Sequence, residues 1–320
     1  MNSKLLRGVC FVLCLTPLVG SACVAAPLVV SLDFFVNPNH APLYVAEALG
    51  FFDEESVEVE IVVPANPSDP VKLAAAGAID MALTPQINYM IARSEGLPLI
   101  AIGALIDRSL GGLLGVADHG FTGMDSLRGG RIGYSLAPLE PILWRTMLAC
   151  AGIDEHEVEL VNVGFNTMQA LLAGSVDAIG AFRNFEPLQV ELEGYEPVFV
   201  PQEAHCIPLT QEILFVVHAA APEEREDALA GFLRATASAI TWITENPDEA
   251  MRLFFEVHPD LDDELNRRSF VETLPLFARG ARHDDATVWE AVQMYLAEQQ
   301  LISQTFPIEA LYTSALLPEN

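Results

Sequence analysis

The sequence predicts an α/β protein of two lobes, each a mainly parallel sheet flanked by helices, with a cleft between them. Three observations carry that expectation. The chain has 320 residues and is 51% hydrophobic, too much apolar sequence for one small core and enough for two lobes of ordinary size. It also repeats itself weakly: residues 73–83 (LAAAGAIDMAL) and 171–181 (LLAGSVDAIGA) each read as a helix end, a glycine, and an aspartate opening a short apolar strand. The third observation is what precedes each copy, VEVEIVV (57–63) in one case and VELVNV (158–163) in the other. Further upstream, the strand and helix at 28–49 correspond to those at 131–151, so each unit reads strand, helix, strand, helix, strand, the pattern of crossover connections in a parallel sheet.

At the N-terminus, Lys4 and Arg7 precede an apolar run from Val9 to Val19 and the small residues SACVAA. This is the pattern of a secretory signal peptide over 1–26, cut after Ala25 or Ala26, and it predicts a periplasmic or otherwise extracytoplasmic protein. A lipid anchor on Cys23 is the alternative, although Gly20 stands where that signal prefers a larger aliphatic residue. Removal of the leader takes away Cys10, Cys14 and Cys23 and leaves Cys150 and Cys206, which are expected to be unpaired core residues. It also removes Lys4 and Arg7, taking the basic count from 16 to 14 against 44 acidic residues and the balance from −28 to −30. So acidic a chain is a poor partner for nucleic acid or an anionic membrane surface.

The opening strand, 28–32, is apolar and β-branched, and it ends in a polar turn carrying Asp33, Phe34, Phe35, Asn37, Asn39 and His40. A helix follows over 40–49. PSDP at 67–70 reads as a helix start, with Ser68 or Asp69 as cap and Pro70 in the first turn. Strands at 97–106 and 110–116, joined by Asp107-Arg108, lead out of the first lobe, and ILFVVHA (213–219) leads back. Two extended crossings make a hinge. Lobe 1 is therefore assigned 27–106 and 216–320, and lobe 2 is assigned 107–215. Helices at 223–245, 248–257, 262–278 and 285–300 buttress lobe 1, the last through a stripe of Val288, Val292 and Tyr295.

The carboxyl ends of parallel strands are where open α/β sheets bind ligands. The loops expected there run from Asp33 to His40, Thr84 to Tyr89, Ser135 to Glu140, Gly164 to Asn166, and Phe182 to Glu186. Aromatics and carboxylates or amides occur on both sides, which suits a flat, nitrogen-rich heterocycle: rings stack on Phe, and a carboxylate accepts from an exocyclic amine. A secreted, hinged receptor that closes around a small molecule fits these features.

The runs LDFFVNPNHAPLYVAEALGFF, PSDPVKLAAAGAID, GLPLIAIGALI, VELVNVGFN and GAFRNFEPLQVELEG resemble the substrate-binding proteins for pyrimidine precursors of thiamine, relatives of the yeast-type hydroxymethylpyrimidine synthase. The resemblance spans about 28–300. It implies a type II periplasmic binding fold and a monomeric receptor without a cofactor, which delivers a 4-amino-5-substituted-2-methylpyrimidine to an ABC permease driven by a cytoplasmic ATPase. Asp33 and Phe34 match an LDW-like motif whose aromatic stacks on the pyrimidine. Asn184, Phe185 and Glu186 match an NYE-like motif whose acid contacts the aminopyrimidine edge. Phe34 and Phe185 depart from the usual Trp and Tyr, and APLEP (137–141) stands where relatives often have a glycine-rich segment.

The expected ligand-binding set is Asp33, Phe34, Asn39, His40, Gln86, Phe182, Asn184, Phe185 and Glu186. In it the ring lies between Phe34 and an aromatic of 182–185, Glu186 and Asp33 accept from the amine, and Asn39 or His40 meets the 5-substituent. Structural roles compete: Glu186 could cap its helix, Asp33 its own turn, and Asp80 and Asp177 read better as strand-entry residues than as ligand contacts. A metal centre is not expected, since the seven His are scattered with no HxxxH or CxxC, and neither GxSxG nor GxxxxGK[ST] occurs. The synthase branch would need a lysine for pyridoxal phosphate, with iron assisting, yet Lys72 is the one lysine left after the leader. A receptor for sulfonate, taurine or nitrate is the other alternative. Arg183 and Ser135 suit an anion, whereas Asp33, Glu140 and Glu186 repel one.

Overall fold

The computed structural model describes residues 26–319, so the expected signal peptide, apart from Ala26, and the Cys23 anchor lie outside the described residues. Among the described residues ten strands run in chain order: β1 Leu28–Ser31, β2 Val59–Val62, β3 Met81–Thr84, β4 Leu99–Ile106, β5 Gly111–Val116, β6 Arg131–Tyr134, β7 Glu159–Asn162, β8 Ala178–Phe182, β9 Pro197–Pro201 and β10 Ile213–His218. They form two five-stranded sheets, ordered β2-β1-β3-β10-β4 and β7-β6-β8-β5-β9. In the first, β1 pairs in parallel with β2 and β3 while β10 lies antiparallel between β3 and β4. The second repeats the arrangement, with β6 parallel to β7 and β8 and β5 antiparallel between β8 and β9. The antiparallel strand of each sheet is the one that has just crossed from the other, β10 after 202–212 and β5 after 107–110.

The repeat acids explain why both units fold alike. Asp80 accepts from the backbone N–H of Val29 at 2.9 Å and Asp177 from that of Arg131 at 2.7 Å, so each ties the entry of its own strand to the start of the neighbouring parallel strand. Asp80 is also paired with Arg225. Both are structural residues, far from the carboxyl ends where a ligand binds.

Sheet one buries Leu28, Val30, Phe215 and Val217 against helices Ala41–Ala48 and Glu226–Glu245, with Phe232 meeting both Phe52 and Phe215. Its other face packs against helix Ala286–Glu298, whose buried stripe is Trp289, Val292, Tyr295 and Leu296, with Val288 half-buried. That cluster continues into lobe 2, where the Tyr295 hydroxyl donates to Thr146 Oγ1 at 2.8 Å. Among the described residues no helix is long and apolar enough to cross a membrane.

Three expectations need correction. The helix predicted over 262–278 stops at Thr273 and tightens into a 3-10 turn at Leu274–Leu276, because Pro275 has no N–H to continue the ladder. The helix predicted from 223 to 245 is broken at Arg225 into Ala221–Glu224 and Glu226–Glu245. Cys150 and Cys206 are neither unpaired nor in the core: both are exposed and they form a disulfide, with their Cα atoms 5.9 Å apart. Cys150 ends helix Leu139–Cys150, and the segment crossing back to lobe 1 brings Cys206 beside it.

Candidate ligand-binding cleft

The carboxyl ends of the parallel strands in both sheets face one another across a closed cleft. On the lobe 1 side, the chain leaving β1 turns into a 3-10 helix at Pro38–His40 capped by Asn37, whose Oδ1 accepts from the Asn39 N–H at 2.9 Å. The Asn37 N–H donates to His40 Nδ1 at 3.3 Å, which makes Nδ1 an acceptor and puts the ring proton on Nε2. Nε2 then donates to Asp33 Oδ1 at 2.8 Å. The buried imidazole thereby fixes Asp33, whose side chain is 11% exposed, at the cavity wall.

Lobe 2 presents two acids in the same way. Glu186 opens helix Glu186–Leu192 and folds back over the end of β8, where its Oε2 accepts from the Phe182 N–H at 2.7 Å. Glu140, in the first turn of helix Leu139–Cys150, folds back over β6, with Oε2 accepting from the N–H groups of Ser135 at 2.5 Å and Leu136 at 3.0 Å. A third acid, Glu212, comes from the return crossing and accepts from the N–H groups of Leu110 and Gly111 at 2.8 and 3.3 Å. Loss of hydration at the cleft floor pushes the Glu186 and Glu212 carboxyls up to about 7 and raises Glu140 as well, against the opposing pull of those backbone donors. The charge of Glu140 adds to the rise at Glu186.

The remaining wall is apolar and aromatic, with Leu83, Leu139, Leu143 and Trp144 inside. Phe34 meets Phe165 of the opposite lobe at 4.7 Å between ring centroids, and Phe35 meets Phe185 at 6.0 Å. Polar contacts join the lobes beside these rings. Asn184 Nδ2 donates to Asn39 Oδ1 and Thr273 Oγ1, both at 2.7 Å, and the Ala137 N–H donates to Ser68 Oγ at 3.2 Å. Among the described residues lining the cavity there is no Lys, Arg or His. Arg183 is turned to Glu203, at 2.6 and 2.8 Å, and does not reach the wall.

Of the residues singled out from the sequence, Asp33, Phe34, Asn39, Phe182, Phe185 and Glu186 line the cavity. His40, Gln86 and Asn184 stand one layer behind it. His40 orients Asp33, Asn184 clasps the lobes, and Gln86 is bonded to the return crossing, accepting from the Gln211 N–H at 3.0 Å. Trp144, Gln202 and Glu212 line the cavity without having been assigned to it, and Glu140, expected in a cleft-facing loop but left out of the ligand-binding set, lines it too. Glu140 had a signal, as the acid that follows a strand end in the second repeat just as Glu186 does. Glu212 had none, because its partners lie some 100 residues away in sequence.

Comparison with known proteins gives a consistent picture. The chain is 35% identical to a thiamine biosynthesis protein of Haemophilus influenzae, over 88% of this chain and 89% of that one. It is 32% identical to the formylaminopyrimidine-binding protein of Halalkalibacterium halodurans, over 89% of each. A 4-amino-5-hydroxymethyl-2-methylpyrimidine phosphate synthase of Legionella pneumophila is 31% identical, over 90% of this chain and 92% of the relative. Among solved structures, the alkanesulfonate-binding protein of Xanthomonas axonopodis pv. citri superposes with a TM-score of 0.70 at 15% identity, covering 91% of this chain and 100% of that one, which shows the shared periplasmic binding-protein fold. The model of the NMT1/THI5-like family matches residues 37–250, and with these relatives it establishes that the chain belongs to that family.

Proposed function

We propose that this protein is the extracytoplasmic receptor of an ATP-driven importer, and that it captures a 4-amino-5-substituted-2-methylpyrimidine in the interlobe cleft and presents it to a permease. The observation that carries the reading is the make-up of the wall: aromatic rings with Asp33, Glu140, Glu186 and Glu212, and no cationic side chain among the described lining residues. A flat ring with N–H donors is complementary to such a wall, because desolvated carboxylates need donors and the rings need a face. Phe34 covers the ring, Glu186 accepts from the 4-amino group, and Asp33, held by His40, stands as an acceptor in the lobe 1 wall. Asn39 meets the 5-substituent.

An anion receptor is disfavoured by the same wall, since sulfonate or nitrate would lie against carboxylates while Arg183 pairs with Glu203 and is not among the lining residues. The synthase alternative asks for a lysine within reach of a bound pyridoxal phosphate. Lys72 is exposed on helix Pro70–Ala75 and is not among the lining residues, so the residues present do not fit that cofactor. Calorimetric titration of ligand-stripped mature protein with aminomethyl-, formylaminomethyl- and hydroxymethyl-pyrimidines, with taurine and nitrate as controls, tests the reading. One-to-one binding of a pyrimidine is expected. Heat from an anion and none from any pyrimidine overturns it.

A further inference from the structure

The wall contributed by lobe 2 contains more unspent hydrogen-bonding capacity than one carboxylate contact needs. Trp144 is 2% exposed, lines the cavity, and its indole N–H has no acceptor. A buried donor left without a partner is a cost that the fold carries for nothing unless an acceptor arrives. Beside it, Glu140 spends Oε2 on the backbone of Ser135 and Leu136, and Oε1 has no such bond. Gly180 shows where both groups lean: a Cβ on this residue would stand 2.4 Å from Glu140 Oε1 and 2.7 Å from Trp144 Cζ2. A bare backbone in the strand beneath is what leaves room for an acceptor and a donor to share that corner of the cleft.

Glu186 closes the set. Its Oε2 is held by the Phe182 N–H, leaving Oε1, and the two carboxylates are near enough for the charge of Glu140 to act on Glu186. Two desolvated carboxylates side by side are mutually unfavourable unless donors lie between them. A primary aromatic amine supplies two N–H groups on one atom, and in an aminopyrimidine the adjacent ring nitrogen is an acceptor.

We propose that Glu140 and Glu186 each accept one N–H of a single primary amine and that Trp144 donates to the neighbouring ring nitrogen, so that lobe 2 selects an unsubstituted amidine edge. This rests on the aminopyrimidine reading above and adds Glu140 and Trp144 to it as specificity-determining residues. A secondary amine loses one of the two carboxylate contacts. A 4-oxo ring inverts the edge, setting its carbonyl against the carboxylates and its ring N–H against the indole N–H.

The test crosses protein variants with ligand variants. The mature protein, Glu140→Gln and Trp144→Phe are titrated calorimetrically with 4-amino-5-hydroxymethyl-2-methylpyrimidine and with its 4-methylamino and 4-oxo analogues. Wild type is expected to bind the 4-amino compound at least tenfold more tightly than the 4-methylamino compound, and the 4-oxo compound more weakly still. Glu140→Gln is expected to lose about tenfold for the 4-amino ligand and to shrink its preference over 4-methylamino to within threefold. Trp144→Phe narrows the gap to the 4-oxo ligand. Gly180→Ala, which fills the shared corner, is expected to weaken the 4-amino ligand without reversing the order. If either variant shifts all three ligands by one factor, its role is structural and the proposal fails. Should a variant fail to fold, equal binding of 4-amino and 4-methylamino ligands by wild type overturns the proposal unaided. Binding of the 4-amino ligand that is indifferent to both variants overturns the edge assignment and leaves the receptor reading standing. Absence of binding by every pyrimidine overturns both.

Discussion

Asn184 is where closure of the cleft can be tested with one substitution. Its side-chain amide nitrogen, at the end of β8, donates across the cleft to Asn39 Oδ1 and to Thr273 Oγ1, both at 2.7 Å, and all three residues are buried. When the lobes part, water replaces these partners, so the bonds weigh on the closed state alone. At about 1 kcal/mol net for each, Asn184→Ala costs closure ~2 kcal/mol, or about 30-fold in the closing equilibrium. A ligand that binds tightly only to the closed form loses affinity by up to that factor. Calorimetry with the hydroxymethyl-pyrimidine should show the loss, and small-angle scattering of the ligand-free variant should show a larger radius of gyration than wild type. Affinity within twofold of wild type, with unchanged scattering, would refute the clasp and make Asn184 a bystander.

Other consequences follow from particular side chains. Burial raises the Glu212 carboxyl from 4.5 to about 7, so the stability linked to it is complete below pH 4.5 and lost as pH rises through 7. Glu212→Gln, which keeps an acceptor for Leu110 and Gly111, should therefore gain on wild type between pH 5 and pH 8, by on the order of 2 kcal/mol in urea titrations; a pH-independent difference contradicts this. The Cys150–Cys206 bridge closes a loop of sequence separation 56, and replacing both with Ser should lower unfolding stability by about 2–4 kcal/mol, read from the denaturation midpoint. An unchanged midpoint would mean that the helix end and the crossing are held by packing alone. Phe34→Ala, which removes the ring that meets Phe165, should weaken pyrimidine binding about tenfold while leaving the thermal midpoint near that of wild type.

The two-sheet architecture was legible because it is written twice. Asp80 and Asp177 follow a helix-ending glycine in each copy and do the same work, taking a backbone N–H of the neighbouring strand, so one unit predicts the other. The turn from Asp33 to His40 was legible for a different reason. Polar and aromatic residues clustered after an apolar strand fall at the carboxyl edge of the sheet, where open α/β sheets bind ligands, and there Asn37, Asn39 and His40 are buried by bonding to one another and to Asp33. Within that turn the sequence could not separate Asp33, at the wall, from His40, behind it. Their order depends on the 3-10 turn capped by Asn37, which swings the imidazole under the carboxylate.

The residues missed were those whose role is set by distant chain. Trp144 sits in an apolar helix and reads as core, which by burial it is; only an unpartnered N–H on a side chain that lines the cleft distinguishes it. Glu212 precedes a buried strand with nothing local to mark it, and it reaches the cleft because the return crossing lies against Leu110 and Gly111 at the start of the outward crossing's strand. The disulfide was hidden for the same reason: a helix terminus and a residue 56 positions away become neighbours only once both crossings are in place.

The central claim is that the desolvated carboxylate of Glu186, in a cleft whose described wall is aromatic and acidic with no cationic side chain, reads the amine of a pyrimidine, and Glu186→Gln tests it most directly. The substitution keeps the shape and the acceptor for Phe182 and removes the charge. A charge-assisted hydrogen bond of this kind contributes about 1.5–3 kcal/mol, so calorimetric titration with 4-amino-5-hydroxymethyl-2-methylpyrimidine should show binding weakened by roughly 10-fold to 100-fold. Affinity within twofold of wild type, a change below ~0.4 kcal/mol, would make Glu186 a helix-start residue and contradict the account.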